Sequence, residues 1–565
     1  MSQQQAPSEP TQPPRAVLQL TVNGDQVEVP DAGETLLAVL RDRLGVTSAK
    51  DGCSPQGQCG CCTVLVDGSP RVACVTPARR VRGRVIETLE GLDVDRTARW
   101  GDAFCAAGGS QCGFCTPGII VRLDALSQKL EAEAESAQPS GAGVASDALD
   151  QALLAHLCRC TGWQTIHEAW QLFTSADSEL AGGGFGPDRT PENAAARAAI
   201  EGGAAQVVSP EVALGRGGFA ADTAPDGALI AVLDAAGQWV VAENLTEAQA
   251  AAGKVQGRRT TAQHRWPLEV PPGEWDATMR TTWVDAAYLE TDASWCQPGG
   301  EPYSTVANGG AFGAKDPDPS PAAVGSPAAD NSGLLDVRSA ARRLADEHDR
   351  PVLVLASRED VAARSPKRPP IAGAMNADGS GVLRVVATPG VAEAVAAVAP
   401  GLKVEEIEVA GPPTSVMVRA AGWAEATVLT AGATKQLGVV TSPAGAQAEA
   451  TIEDGVIKVV VGCGRVLDPV VLRSYCIGAA HMAWSWLTSE AMLVDESGMV
   501  HDLTVRSLGV LRAVDTPKIE IDIIDSDRTS VNGSDAVFAA VAAAGWLAKD
   551  CAQDWPISNT ASPKS

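Results

Sequence analysis

The pattern of apolar and polar positions predicts a small sheet near the start of the chain. Apolar and polar residues alternate over Val17–Val22, and Asn23-Gly24, a pair typical of tight hairpin turns, follows directly. Between Glu34 and Leu44 the leucines recur at helical spacing. Further strand-like runs follow at Thr63–Val66 and Arg84–Thr88. Residues 16–95 are therefore expected to form one domain with a sheet and a helix.

The period of the pattern changes from two to 3.6 residues near Arg96, which predicts helices. Four apolar stripes at this spacing follow one another along the chain. Their anchor residues are Trp100 and Phe104, then Ile119 and Leu123, then Leu149 and Leu153, and lastly Ile166 and Trp170. We therefore expect a helical domain over residues 96–180.

A stretch rich in Gly, Pro and Asp, Gly182–Pro191, marks a change in the character of the chain, and a linker is expected over residues 181–207. After it, strand and helix patterns rich in Ala, Val and Gly alternate without a fixed repeat, which favours a mixed α/β region over residues 208–565. Residues 1–15 are polar and rich in Pro and Gln, and we expect them to be disordered. The predicted fold class is a multidomain α+β chain.

Charge and composition argue against several classes of function. The formal charge of −25 argues against a nucleic-acid or anionic-membrane binder, because phosphates are held by clustered Lys and Arg. No run of about 18 apolar residues predicts a membrane span, and residues 1–15 have no features of an export signal. Eight of the 14 cysteines fall in short-spaced groups, which favours metal ligation in a reducing cytosol over disulfides. A cytoplasmic protein is expected.

The first cysteine group lies in CSPQGQCGCCTV and the strand end after it. Its members are Cys53, Cys59, Cys62 and Cys74. Three thiolates on a Gly-rich loop, with a fourth from a nearby strand end, suit an iron-sulfur cluster, which takes four soft ligands. The first gap is one residue longer than in the plant-type spacing C-x4-C-x2-C. Cys61 is expected not to be a ligand, because neighbouring side chains point apart.

The second cysteine group is built from two short pairs. Cys112 and Cys115 lie in QCGFCTPG, before a helix that begins near Pro117, and Cys158 and Cys160 lie in HLCRCTGW, after a helix expected to end at Leu157. Two helical hairpins brought together would bring the four thiolates to one place, which suits a second 2Fe-2S cluster. Zinc is the alternative, because C-x2-C is a favoured zinc spacing, although C-x-C is an awkward one.

These motifs resemble the iron-sulfur subunit of the xanthine oxidase and aldehyde oxidase family of molybdenum hydroxylases. The matching stretches between Leu20 and Gly162 are CSPQGQCGCCTV, IETLEGL, QCGFCTPG and LCRCTGW. The resemblance implies a β-grasp ferredoxin-like domain followed by a four-helix domain, with one 2Fe-2S cluster in each. It also implies that the helical-domain cluster lies nearest the molybdopterin and that Gln111, which precedes Cys112, contacts the pterin.

The second half of the chain resembles the large subunit of the same family. The loop Gly309–Lys315 (GGAFGAK) resembles the molybdenum-cofactor loop, which implies cofactor contacts at Gly310, Phe312 and Gly313. Other segments in the family's order are AYLETDASW, RPVLVLASRED and RAAGWAEA, and the last begins with Arg419, a further cofactor-binding candidate. On its residues alone, the loop could offer backbone N–H donors to a ligand or be a structural turn.

Several large-subunit features are missing. The catalytic base of the family is a Glu in a GxGE motif, and the matching segment here is Asn532-Gly533-Ser534-Asp535. Ser534 cannot deprotonate a metal-bound hydroxide near neutral pH without a base of its own, which leaves Asp535 as the alternative. The GQG-type pterin loop has no counterpart between Arg419 and Gly462, and the region is shorter than is usual for the family's large subunits. No segment resembles the flavin domain, so FAD would come from a partner.

The sequence therefore predicts an electron-transfer component with two 2Fe-2S clusters, no FAD of its own and a degenerate molybdopterin-binding region. The expected partners are a molybdopterin-binding catalytic subunit and an FAD subunit, with no nucleic acid and no membrane. Two alternatives stay open. One is a single-chain molybdenum hydroxylase of an aldehyde or N-heterocycle, and the other is a non-enzymatic 2Fe-2S redox sensor or assembly factor.

Overall fold

The computed structural model describes residues 17–136, 145–175, 184–186, 188–254, 257, 260–262, 265–303, 310–315 and 335–557. The segment 1–15, which is expected to be disordered, lies outside the described residues. Within the ranges just given, no helix is both long and apolar enough to cross a membrane.

The first domain is a five-stranded sheet with a short helix. Its elements are β1 (Val17–Val22), β2 (Asp25–Pro30), α1 (Leu36–Ala38), β3 (Thr63–Val66), β4 (Ser69–Val72) and β5 (Val85–Glu87). The strand order is β2-β1-β5-β3-β4, with β1 parallel to β5. Asn23 and Gly24 have φ values of 52° and 90°, as the predicted hairpin requires. The predicted helix is present as α1 and a π-helix over Val39–Arg43 that continues it.

Four helices form the second region, as the apolar stripes predict. They are α2 (Val94–Ala107), α3 (Thr116–Ser136), α4 (Ala145–Leu153) and α5 (Gln164–Thr174). Trp100 of α2 is fully buried and stacks on Phe173 of α5, with ring centroids 3.6 Å apart. Its indole Nε1 donates to Asp124 Oδ1 of α3 at 2.9 Å, so one side chain connects three helices.

The segment 181–207, which is expected to be a linker, contains the helix α6 (Pro191–Gly202). Thr190 caps this helix by accepting from Asn193 N, and Ala194 and Ala198 pack against the C-terminal region. Arg197 is fully buried on the same face. The small side chains on this face let the helix pack closely. The Gly- and Pro-rich composition around the helix gives no sign that a helix forms here.

The C-terminal region is a mixed α/β structure with three four-stranded sheets among its described residues, as predicted. The strands are β6 (Leu229–Leu233), β7 (Trp239–Ala242), β8 (Ala277–Arg280), β9 (Ala293–Cys296), β10 (Val352–Leu355), β11 (Ile371–Met375), β12 (Gly381–Val386), β13 (Leu402–Ile407), β14 (Val440–Thr441), β15 (Gln447–Glu453), β16 (Val456–Gly462) and β17 (Ile519–Ile524). The helices are α7 (Pro210–Ala213), α8 (Ala220–Thr223), α9 (Leu245–Ala251), α10 (Val337–His348), α11 (Arg358–Arg364), α12 (Val391–Ala396), α13 (Trp423–Thr434), α14 (Pro469–Thr488) and α15 (Ser534–Leu547). The sheet orders are β7-β6-β10-β9, β13-β12-β11-β8 and β14-β15-β16-β17.

The apolar helices α13, α14 and α15 form the core of this region. In the last sheet, Ala448 pairs with Val461 and Ala450 with Val459, and all four side chains are buried in that core. Trp546 of α15 is fully buried where α15 crosses α13 at Gly432. A Cβ at Gly432 would lie 2.2 Å from the Trp546 ring, so the close approach of the two helices depends on this glycine.

We expect Gly432→Ala to lower the free energy of unfolding by about 1 to 3 kcal/mol, because the added methyl group overpacks the helix crossing. Chemical denaturation of purified protein measures the change. Gly438→Ala is the matched control, because a Cβ there meets no atom within 4 Å. Equal effects of the two variants would contradict the packing account.

Candidate metal centres

The structure brings the first cysteine group together in a buried loop. Cys53, Cys59, Cys62 and Cys74 each expose only 1% of their surface. Gln56 N donates to Cys53 Sγ at 3.2 Å, and Cys74 N donates to Cys62 Sγ at 3.4 Å. Hydrogen bonds from Cys59 and Cys74 hold the pKa of Cys53 well below its ordinary value. Four converging thiols with backbone donors suit a 2Fe-2S cluster.

The second cysteine group also converges. Cys112 and Cys160 have their sulfurs 3.5 Å apart, and Cys158 Sγ lies 3.2 Å from Thr161 Oγ1. Hydrogen bonds from Cys115 and Cys160 lower the pKa of Cys158. The helix α4 ends at Leu153, so the predicted end at Leu157 is wrong. Cys158 and Cys160 therefore lie in the loop between α4 and α5. Within the described residues, no three His, Cys, Asp or Glu side chains surround the position of a single metal ion.

The two cysteine loops touch each other through their backbones. Leu157 N donates to Cys59 O at 3.0 Å. His156 is buried against Gly60, where a Cβ would lie 2.5 Å from the imidazole Cδ2, so only glycine fits at this contact. A Cβ at Gly118 would lie 2.4 Å from Gly60 O. The loops are therefore packed at a distance that leaves no room for a side chain.

The C-terminal region covers the first cysteine loop with polar contacts that the sequence does not reveal. Gln56 Nε2 donates to Glu359 Oε1 at 3.0 Å and to Leu503 O at 2.9 Å, and Gln56 Oε1 accepts from Val505 N at 3.1 Å. Buried Arg358 donates to Gly52 O at 3.0 Å. The first loop is thus held by segments more than 300 residues further along the chain.

The residues that the family resemblance implies as cofactor-binding lie near the second cysteine group. There they contact other groups of the protein. A Cβ at Gly310 would lie 2.4 Å from Cys160 Sγ, and one at Gly313 would lie 1.8 Å from Met417 O. Gln111 Nε2 donates to Cys160 O at 3.1 Å and to Ser474 Oγ at 2.9 Å. Gln111 Oε1 is buried and has no hydrogen-bond partner among the described residues.

Arg419 connects this group of residues to the start of α15. Its guanidinium lies 4.1 Å from the centroid of the Phe312 ring. Its NH2 group donates to Ser534 Oγ at 2.9 Å, its Nε donates to Asp535 Oδ1 at 3.2 Å, and its NH1 group contacts Met482 Sδ at 3.3 Å. All three nitrogens therefore have protein partners. Burial raises the pKa of Asp535, and the charge of Arg419 opposes this shift.

The carboxylate of Glu201 lies at the N-terminus of α15, where an anionic ligand would bind. Glu201 of α6 accepts from Gly533 N at 3.0 Å and from Ser534 N at 2.9 Å. Its other partner is Arg197, at 2.8 Å, and both side chains of this pair are fully buried. A helix N-terminus attracts anions, and here a carboxylate of the same chain already satisfies it.

The residues present therefore fit two 2Fe-2S clusters, while the groups around Arg419 are engaged by the chain itself. The thiols of each cysteine group are free, buried and grouped. In the cofactor-like region, by contrast, each nitrogen of Arg419 contacts a protein group, and Glu201 accepts from the backbone N–H groups of Gly533 and Ser534. The sequence gives only a weak signal for the Arg197–Glu201 ion pair. The two residues stand four positions apart in an Ala-rich stretch, a spacing at which side chains meet on one face of a helix.

Family models match the two cysteine-bearing regions. Residues 20–84 match the model described as a 2Fe-2S iron-sulfur cluster binding domain. Residues 88–171 match the model described as a 2Fe-2S binding domain, which favours a cluster over zinc at the second cysteine group.

Several relatives of one family are similar in sequence to about a quarter of the chain. A probable xanthine dehydrogenase subunit of Bacillus subtilis is 38% identical over 148 residues, which are 26% of this chain and 79% of that protein. The nicotinate dehydrogenase small FeS subunit of Eubacterium barkeri is 36% identical over 157 residues, 27% of this chain and 92% of that protein. The match to xanthine dehydrogenase of Drosophila subobscura, 38% identical, covers 28% of this chain and 12% of that protein.

A solved structure resembles the fold of nearly the whole chain. The aldehyde oxidoreductase of Desulfovibrio desulfuricans has a TM-score of 0.63 at 14% identity, covering 93% of this chain and 97% of that one. The chain belongs to the molybdenum hydroxylase family, which includes xanthine dehydrogenase. Its role is that of a 2Fe-2S electron-transfer component of an oxidoreductase.

We expect Glu201→Gln to lower the free energy of unfolding by about 3 to 5 kcal/mol, because it leaves the buried Arg197 guanidinium without its counter-charge. Denaturant unfolding monitored by tryptophan fluorescence measures the effect. Glu192→Gln, an exposed acid on the same helix, is the control and should change stability by less than about 0.5 kcal/mol. A Glu201→Gln variant as stable as the parent would show that the internal carboxylate is not needed.

Proposed function

We propose that this chain carries one 2Fe-2S cluster in each cysteine group and transfers electrons for a separate catalytic subunit that holds the molybdopterin. The cluster ligands are Cys53, Cys59, Cys62 and Cys74 in the first group and Cys112, Cys115, Cys158 and Cys160 in the second. The C-terminal region then serves as a scaffold that docks the catalytic subunit and has no molybdenum centre of its own.

The contact of Glu201 with Gly533 N and Ser534 N carries the proposal that molybdenum chemistry lies elsewhere. Ser534 stands where the family has its catalytic Glu. Asp535, the acid next to it, accepts a hydrogen bond from Arg419. The neighbouring carboxylate, Glu201, is ion-paired with Arg197. Glu201 is committed to this ion pair and Asp535 to its contact with Arg419, which disfavours either acid as the base for a bound substrate.

The residues of the chain would hold and protect the two centres. A 2Fe-2S cluster supplies one-electron transfer when bound. Gln56 N and Thr161 Oγ1 hydrogen-bond to ligand sulfurs, which favours their anionic form. Burial of all eight thiols excludes water, and the contact of Leu157 with Cys59 keeps the two loops adjacent. Adjacent, dry centres suit the passage of single electrons.

The relatives support partner subunits. Three of them are named as subunits of larger dehydrogenases: of a probable xanthine dehydrogenase, of a nicotinate dehydrogenase and of a caffeine dehydrogenase from Pseudomonas. We propose that the catalytic partner binds molybdopterin, that FAD, where it is used, lies on a further subunit, and that the assembly works in the cytoplasm. The substrate would be chosen by the catalytic partner.

A second candidate is a single-chain hydroxylase, and one observation favours it. Gln111 Oε1 is buried beside the second cysteine group without a partner among the described residues, as a pterin-contacting amide would be before its ligand binds. Steady turnover of xanthine or an aldehyde by the isolated chain, at rates typical of enzymes, would favour this candidate.

We expect Cys62→Ser to remove one of two 2Fe-2S electron paramagnetic resonance signals from the dithionite-reduced protein, with a loss of about two irons per chain. Cys61→Ser is the matched control. Cys61 is equally buried and adjacent, yet it is predicted not to be a ligand, so both signals should remain. Cys115→Ser should remove the other signal. Loss of a signal in Cys61→Ser with retention in Cys62→Ser would contradict the assigned ligand set.

A further inference from the structure

Arg506 of the C-terminal region lies against the first cysteine loop. Its backbone N donates to Gln58 Oε1 at 3.3 Å, and its Nε donates to Gln58 O at 2.8 Å. Its NH2 group donates to Leu154 O at 2.7 Å, in the loop that leads to the second cysteine group. The residue is thus fixed at three points where the two loops meet.

The partners of the Arg506 guanidinium are backbone carbonyls. Among the residues that the structure describes, no carboxylate lies within ion-pair distance of it. Burial lowers the pKa of Arg506, the nearby Arg512 adds to this, and Cys59 and Cys53 oppose it. An arginine stays charged under these conditions, so its positive charge acts on the sulfurs of the first group.

The second cysteine group has an arginine of its own, whose charge is cancelled. Arg159 stands between Cys158 and Cys160 in sequence. Glu490 accepts from both ends of its guanidinium, at 2.5 Å and 2.9 Å, and both side chains are buried. A bidentate pair of this kind presents little net charge to its surroundings. Arg159 therefore differs from Arg506, which has no carboxylate partner among the described residues.

The reduced form of a 2Fe-2S cluster carries one more negative charge than the oxidised form, so a fixed positive charge nearby stabilises reduction. We propose that Arg506 is a positioning residue that raises the reduction potential of the first centre relative to the second. This inference rests on the proposed function, because it requires a cluster bound by Cys53, Cys59, Cys62 and Cys74. Through Arg506, the C-terminal region then acts on electron transfer at the first centre.

The test is an anaerobic redox titration of the full-length protein, monitored by electron paramagnetic resonance, with the signal lost in Cys62→Ser taken as the first centre. Arg506→Gln should shift the reduced-to-oxidised ratio of that centre about tenfold toward oxidised, which is a fall of about 59 mV for one electron. Arg506→Lys, which keeps the charge, should stay near the parent. Arg506→Met is a second neutral variant in case the glutamine perturbs the loop.

Arg512→Gln is the matched control, because Arg512 lies close by but is partly exposed and paired with Asp515 at 2.6 Å. Both potentials should stay unchanged in this variant. An unchanged potential in Arg506→Gln and Arg506→Met, with both signals present, would overturn the role of Arg506 and leave the proposed function intact. An equal fall in Arg506→Lys would also overturn it, because hydrogen bonding and not charge would then be the cause. A parent protein without iron would overturn both.

Discussion

The rest of the structure depends on the buried junction between the two cysteine loops. Leu157 N donates to Cys59 O there, and the glycines at 60 and 118 allow a backbone approach that no side chain would permit. Thiolates are costly to bury without compensation, so the loops must supply backbone donors and close packing at once. All eight thiols are buried, and Arg506 of the C-terminal region contacts both loops at this junction.

The C-terminal region resembles the fold of an aldehyde oxidoreductase. Arg419, expected to contact a cofactor, donates to Ser534 and Asp535 at the start of α15. The carboxylate of Glu201 supplies the negative charge at that helix end. The start of α15 is thus held by charged groups of the chain itself. The C-terminal region contacts the first cysteine loop through Val505, which donates to Gln56, and through Arg506, which donates to Gln58.

Much of the amino-terminal part could be predicted from the sequence, because its signals are local. The Asn23-Gly24 turn, the four apolar stripes and the two cysteine groups each lie within short windows, and the elements follow them. The helix α6 could not be predicted, because small residues in a Gly- and Pro-rich setting resemble a linker. The contacts of Arg506 could not be predicted either, since they join residues about 448 positions apart in sequence. Long-range pairs leave no pattern in one sequence.

The most direct test of the central claim is the iron and molybdenum content per chain, measured by plasma mass spectrometry. The protein should be purified anaerobically from a host able to make molybdopterin. We expect about four irons and no molybdenum, because two 2Fe-2S clusters fit the cysteine groups while Glu201 occupies the start of α15. About four irons with about one molybdenum per chain would contradict the account and show that this chain holds its own molybdenum centre.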